Sequence, residues 1–150
     1  MDLSKDIIGR KLKSYSFDVE RGKLREFCIS IGETNRLYSD SEYARSQGFK
    51  DTPVPPTFQT VFQFWGYPEI WEDMTALGID VSRLLHMKQN YTYHEPIYPG
   101  DVIKTDGEVA DVKTGKMDIV SFRTRHTNQD GVLCVESMMS IVLRPIEKEK

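Results

Sequence analysis

The stretch Phe58-Gln59-Thr60-Val61-Phe62-Gln63-Phe64-Trp65 governs how the rest of the chain is read. Phe58, Val61, Phe62 and Trp65 recur at i, i+3, i+4 and i+7, the spacing of one apolar helix face. No other segment has so strong an apolar helical pattern, so we expect one long, buried helix here. It cannot begin earlier, because Pro53-Val54-Pro55-Pro56-Thr57 is too rich in proline for a helix interior or a central strand. After Leu84 the period changes to two. Met87, Gln89, Tyr91 and Tyr93 fall on one face, and Lys88, Asn90, Thr92 and His94 on the other. Pro99-Gly100-Asp101 closes that strand with a turn. Three further strands follow, over 102–112, 117–127 and 132–143, with a hairpin loop at Asn128-Gln129-Asp130-Gly131. The last carries Leu133, Val135, Met139, Ile141 and Leu143 on one face. The sequence predicts an α+β arrangement, a long helix against an antiparallel sheet whose last three strands form a meander. A helix covers only one face of such a sheet, so its edges call for a second copy or partner.

The first third is helical with one short strand. The alternation over 14–19 predicts the strand, and Leu24, Phe27, Cys28 and Ile31 give the next segment one apolar helix face, ended by Gly32. Residues 41–47 read as a short polar helix closed by Gly48, and Glu147-Lys148-Glu149-Lys150 as a frayed tail. With 150 residues, 39% of them hydrophobic and 29% charged, the composition is that of one ordinary globular domain, 1–150. A net charge of −3 argues against nucleic acid as a partner. The chain has no run of apolar residues long enough to span a bilayer, and Met1-Asp2-Leu3-Ser4-Lys5-Asp6 has no signal-peptide core, so we expect a cytoplasmic protein that binds no membrane. Cys28 and Cys134 have no metal-ligand spacing and read as reduced, buried residues. His86, His94 and His126 are too scattered for a metal site; His94 reads as structural and His126 as a surface histidine. No cofactor or metal is expected.

Four local patterns carry a family resemblance: Gly32-Glu33-Thr34-Asn35 with Tyr38, Tyr43-Ala44-Arg45-Ser46-Gln47-Gly48-Phe49, Val54-Pro55-Pro56-Thr57-Phe58, and Tyr91 through Asp101. Together, over roughly 9–143, they resemble the MaoC-like dehydratase family, in its N-terminal-type, FAS1-like form. The resemblance implies a hot-dog fold, a long central helix wrapped by a curved antiparallel sheet. It also implies hydration of trans-2-enoyl thioesters, or the reverse dehydration of 3-hydroxyacyl thioesters.

Active members of that family carry Gly-Asp-x-Asn-Pro-x-His, whose Asp and His hold the water. Here those two positions read Glu33 and Tyr38. The Glu carboxylate sits one methylene farther out, a shift of about 1 Å that can cost ~100-fold in rate. Tyrosine, with an ordinary pKa of about 10, is a donor and a poor base at neutral pH. Pro56 stands where a glycine N–H usually faces the thioester oxygen, and proline has none; Thr57 can supply a donor from the next position. These departures are similar to the non-catalytic subunits of heterodimeric (3R)-hydroxyacyl-thioester dehydratases, so the resemblance implies a substrate-binding subunit beside a catalytic hot-dog partner. The ligand implied is an acyl-CoA or acyl-carrier-protein thioester, with Asn35, Pro56, Thr57, Phe58 and Phe62 as candidate substrate-binding residues. Asn35 also reads as a cap of the turn after the first helix, and Phe58 and Phe62 as plain core. Arg123 and Arg125 could meet ligand phosphates, although their strand face reads as solvated. Two other readings stand beside this one: a self-sufficient homodimeric hydratase using Glu33 and Tyr38, and a non-enzymatic acyl-thioester binding or regulatory protein.

Overall fold

The computed structural model describes residues 3–145, so the tail at Glu147-Lys150 lies outside the described residues. Strand β1 (Tyr15–Asp18) leads into helix α1 (Arg21–Ser30), and a 3-10 turn (Arg36–Tyr38) into helix α2 (Ser41–Ser46). Helices α3 (Gln59–Phe64) and α4 (Ile70–Ala76) come next, then β2 (Leu84–Tyr93), β3 (Val102–Lys113), β4 (Asp118–Thr127) and β5 (Leu133–Leu143). The five strands form one antiparallel sheet in the order β1-β3-β4-β5-β2. The meander β3-β4-β5 is its centre, and β2 is an edge strand with one side unpaired.

Gly32, at φ +67°, closes α1: the Glu33 N–H reaches back to the Cys28 carbonyl at 2.8 Å and the Gly32 N–H to that of Ile29 at 3.1 Å. That pair of bonds is the Schellman ending, which requires a left-handed residue. Asp40 opens α2 by accepting from the N–H groups of Glu42 at 3.1 Å and Tyr43 at 3.0 Å. The cap at Gly32 closes α1 and the cap at Asp40 opens α2, so the two bracket the Glu33–Tyr38 segment.

The long central helix is instead two short helices. α3 ends at Phe64, and the chain turns through Gly66-Tyr67-Pro68 before α4. A Cβ on Gly66 would lie 2.5 Å from the Phe17 ring and 2.9 Å from the Phe62 carbonyl, so the backbone passes too close for any side chain. Pro68 then denies the helix a donor. The apolar periodicity fails with the helix: Phe58 and Phe62 are fully buried, whereas Trp65 is 68% exposed, beneath the Lys23 ammonium at 3.9 Å. In β2 only Gln89 and Tyr91 of the expected face are half-buried; a bulge between His86 and Lys88 leaves Met87 exposed.

Two apolar clusters fill the space under the sheet. One gathers Phe17, Leu24, Phe58, Phe62, Ile103 and Val135; the other gathers Ile70, Met74, Val109, Phe122, Met139 and Ile141. A row of buried polar side chains separates them: Thr105 on β3, Thr124 and His126 on β4, Ser137 on β5 and Gln63 on α3. His126 is therefore not the surface histidine expected. It is completely buried, its Nδ1 2.7 Å from Thr105 Oγ1 and its Nε2 3.2 Å from Thr124 Oγ1. Burial pulls its pKa down to about 4 and keeps it neutral. Among the described residues no helix is long and apolar enough to cross a membrane.

Candidate functional site

Tyr38 stands in the wall between two hollows. One, of about 510 Å³, has Arg21, Arg25, Cys28, Glu33 and Thr52 in its walls. The other, of about 340 Å³, is lined by Pro56, Gln59, Tyr93, His94 and Val135. The 3-10 turn places Tyr38 at this junction. Asn35 caps that turn by accepting from the Leu37 N–H at 3.0 Å, and Glu33 Oε1 accepts from the Asn35 N–H at 2.8 Å. Both bonds are local, so the backbone of this segment is self-supporting.

Glu33 and Tyr38, the pair that the resemblance singles out, both line the first hollow. Glu33 is half-buried, and one carboxylate oxygen is already engaged by the backbone. Burial raises the Tyr38 pKa, and the nearby Glu33 charge raises it further. At neutral pH Tyr38 is a phenol that donates, not a base. The same two causes push up the Cys28 thiol, so Cys28 contributes a protonated wall. Arg21 is held by Asp51 at 2.6 Å and by the buried Thr52 hydroxyl at 3.2 Å.

The second hollow lies at the start of α3. The Val54 N–H donates to the Ile97 carbonyl at 2.9 Å, tying the proline segment to the loop after β2. The Tyr93 hydroxyl donates to the Pro56 carbonyl at 2.5 Å and fixes the turn from the other side. Pro56 lines the hollow and Thr57 lies exposed on the same turn; the Phe58 N–H is taken by the Pro55 carbonyl at 2.9 Å. Of the donors at this turn, the Thr57 amide is the one that follows the two prolines.

Phe58 and Phe62 do not line either hollow. Their rings meet edge-on at 5.6 Å in the core, and Phe27 packs edge-on to Phe58 at 5.2 Å. Asn35 is an exposed cap residue. Gln59, Tyr93 and His94 are the site residues that sequence reasoning missed. A glutamine within the apolar run Phe58–Phe64 is the available signal for Gln59, which is 2% exposed with Oε1 unpartnered. His94 Nε2 is 3.2 Å from Glu136 Oε2 at the far side. Arg123 pairs with Glu108 at 3.0 Å and Arg125 with Glu136 at 3.6 Å, so that strand face is an ion-paired surface. Among the described residues no group of three or more His, Cys, Asp or Glu could hold a metal ion.

The chain is thus an α+β arrangement of one five-stranded antiparallel sheet and a few helices, with a hollow at the start of α3. Residues 6–137 match the FAS1-like, dehydratase domain region, and the chain belongs to that family. A UPF0336 protein of Saccharopolyspora erythraea is 32% identical over 146 residues, covering 96% of this chain and 93% of its own. Among solved structures, a chain of the C-terminally truncated HadBC (3R-hydroxyacyl-ACP dehydratase) complex from Mycobacterium tuberculosis superposes with a TM-score of 0.77 at 24% identity, over 93% of this chain and 99% of that one. The (R)-hydratase from A. caviae involved in PHA biosynthesis superposes with a TM-score of 0.71 at 21% identity, over 92% and 96%. These structural likenesses establish the hot-dog fold.

Proposed function

We propose that this chain is the substrate-binding component of a (3R)-hydroxyacyl-thioester dehydratase or enoyl-thioester hydratase, working in the cytoplasm beside a catalytic hot-dog partner. The observation that carries the proposal is Tyr38, a phenol held protonated at the position where the family's chemistry needs a base. The thioester would sit in the hollow at the start of α3, its oxygen near the Thr57 amide, with Tyr38 as a neighbouring donor and Tyr93 committed to the Pro56 carbonyl. The partner would supply the carboxylate and histidine that add water across the double bond, hydroxyl to Cβ and proton to Cα. Its place would be the free edge of β2, where Leu85, Met87 and Tyr93 are exposed beside an unpaired row of backbone groups. An acyl-CoA and an acyl-carrier-protein thioester present the same reacting group to this site.

The test is hydration of crotonyl-CoA, followed by loss of enoyl absorbance. The chain alone should be inert, and a hot-dog protein with the intact Asp and His should turn over only when this chain is added. Ordinary enzyme rates from the chain alone would overturn the subunit reading. One observation favours the homodimeric alternative: Glu33 and Tyr38 share one hollow. In that case Glu33→Gln abolishes turnover in a chain that still folds.

A further inference from the structure

Two spaces lie along α3. The thioester hollow is lined by Gln59, and a narrow apolar slot under the sheet is lined by Gln63. These glutamines share a helix face four residues apart, about 6 Å along the axis. Strand β5 repeats the order from the sheet side: Val135 lines the hollow, Met139 lines the slot, and Ser137 stands between them on the same strand face. Gln63 bridges helix to sheet at this point. Its amide donates to Ser137 Oγ at 2.9 Å and reaches Thr124 Oγ1 at 3.5 Å.

Behind this contact the hydroxyls are held in a chain. Thr124 Oγ1 lies 2.6 Å from Ser137 Oγ and 3.2 Å from neutral His126, which in turn meets Thr105 at 2.7 Å. Beyond Gln63 the slot holds about 20 Å³, room for one water-sized group, beside the stacked rings of Tyr15 and Tyr67 at 4.5 Å. A glutamine that served packing alone would have both ends of its amide paired. Gln63 is 3% exposed, and its Oε1 has no partner. Its amide is held from one side, so swinging it away breaks the Ser137 contact and frees the carbonyl oxygen to find a partner.

We infer that Gln63, latched to Ser137, closes the passage between the thioester hollow and the slot, and so restricts this chain to short acyl groups. The inference rests on the proposed thioester site. About one helical turn of depth accommodates a butenoyl-type chain; an octenoyl chain must displace Gln63. Ser137 acts through Gln63 as a positioning residue.

The experiment is calorimetric titration of crotonyl-CoA and trans-2-octenoyl-CoA into the wild-type chain and into Gln63→Ala, Gln63→Leu and Ser137→Ala. Gln63→Ala should tighten octenoyl-CoA about tenfold or more and move crotonyl-CoA by less than about twofold. Gln63→Leu, which keeps the bulk, should leave the ratio as in wild type. Ser137→Ala removes one hydroxyl from the latch and should give a smaller gain for octenoyl-CoA, which keeps the test alive if Gln63→Ala fails to fold. Crotonyl-CoA binding with an octenoyl ratio unmoved by either opening variant would overturn the gate and leave the thioester site standing. Failure of every form to bind crotonyl-CoA would overturn both.

Discussion

Two polar groupings in this chain live under opposite conditions. Glu33 and Tyr38 line a partly open hollow beside the exposed cap Asn35, and Glu33 and Asn35 are held by bonds to their own turn. Thr105, Thr124, His126, Ser137 and Gln63 lie buried between two apolar clusters and bond to one another across three strands and a helix. The first grouping can change its chemistry without endangering the fold, since water stands in for whatever is lost. A change in the second costs more, because an unpaired group there has no water to turn to. The contrast explains how one scaffold can keep its architecture while the residues of its open hollow change.

The sharpest way to break this comparison is to attack the wall of the buried row. The Phe62 ring lies 5.5 Å from the His126 ring and contacts Phe17 and Phe58. Phe62→Ala should cost about 3–5 kcal/mol in urea unfolding, the usual range for a fully packed aromatic. A loss below about 1 kcal/mol would mean that the core around the row collapses easily.

Acid should strike the same row next. His126 is neutral in the fold with a pKa near 4, against 6.5 when unfolded. The unfolded chain therefore binds the proton first as pH falls. Stability is fully present above about 6.5 and declines as pH drops toward 4, by about 3 kcal/mol in all. Urea midpoints measured from pH 7.5 to 4 should show this slope, and His126→Gln should flatten it relative to wild type. Equal slopes in both proteins would place the acid sensitivity elsewhere.

Much of the fold is legible in the sequence, and the exceptions have physical causes. The four long strands and the endings at Gly32 and Gly48 follow from local rules: alternation, and glycine at positive φ. The long helix expected there fails because periodicity in Phe58, Val61, Phe62 and Trp65 says nothing about backbone approach. Only the packing of Phe17 against Gly66 and the proline two residues on reveal the break. His126 was misassigned although parity held the answer. Phe122 must face inward, so Thr124 and His126 on alternate positions face inward too, and Arg123 and Arg125 outward. At the site, Glu33 and Tyr38 were visible because a motif marks them. Gln63 and Ser137 were invisible because their meaning arises from a contact 74 residues apart in sequence.

A smaller test falls on the turn that supports the open grouping. Gly32→Ala keeps free space around the new methyl but forces a side chain into φ +67°. It should cost about 1 kcal/mol and loosen the Glu33 end of the hollow while leaving the buried row intact. Amide exchange would check this: protection should fall at Glu33 and Asn35 and stay unchanged in β4 and β5.

The smallest effect on stability is the most telling for function. Tyr38→Phe removes a hydroxyl from a half-buried ring and should shift the unfolding free energy by no more than about 0.5 kcal/mol. If Tyr38 lends the thioester a hydrogen bond in a chain whose partner does the chemistry, the variant should weaken crotonyl-CoA binding severalfold and leave the partner-supplied turnover at saturating substrate nearly unchanged. A hydrogen bond made equally to bound substrate and transition state shows up in KM and not in kcat. If Tyr38 instead delivers or receives the proton, kcat falls by about 10²-fold or more while the fold stays as stable. A deep loss of stability would refute the contrast itself, because it would put Tyr38 among the groups on which the architecture depends.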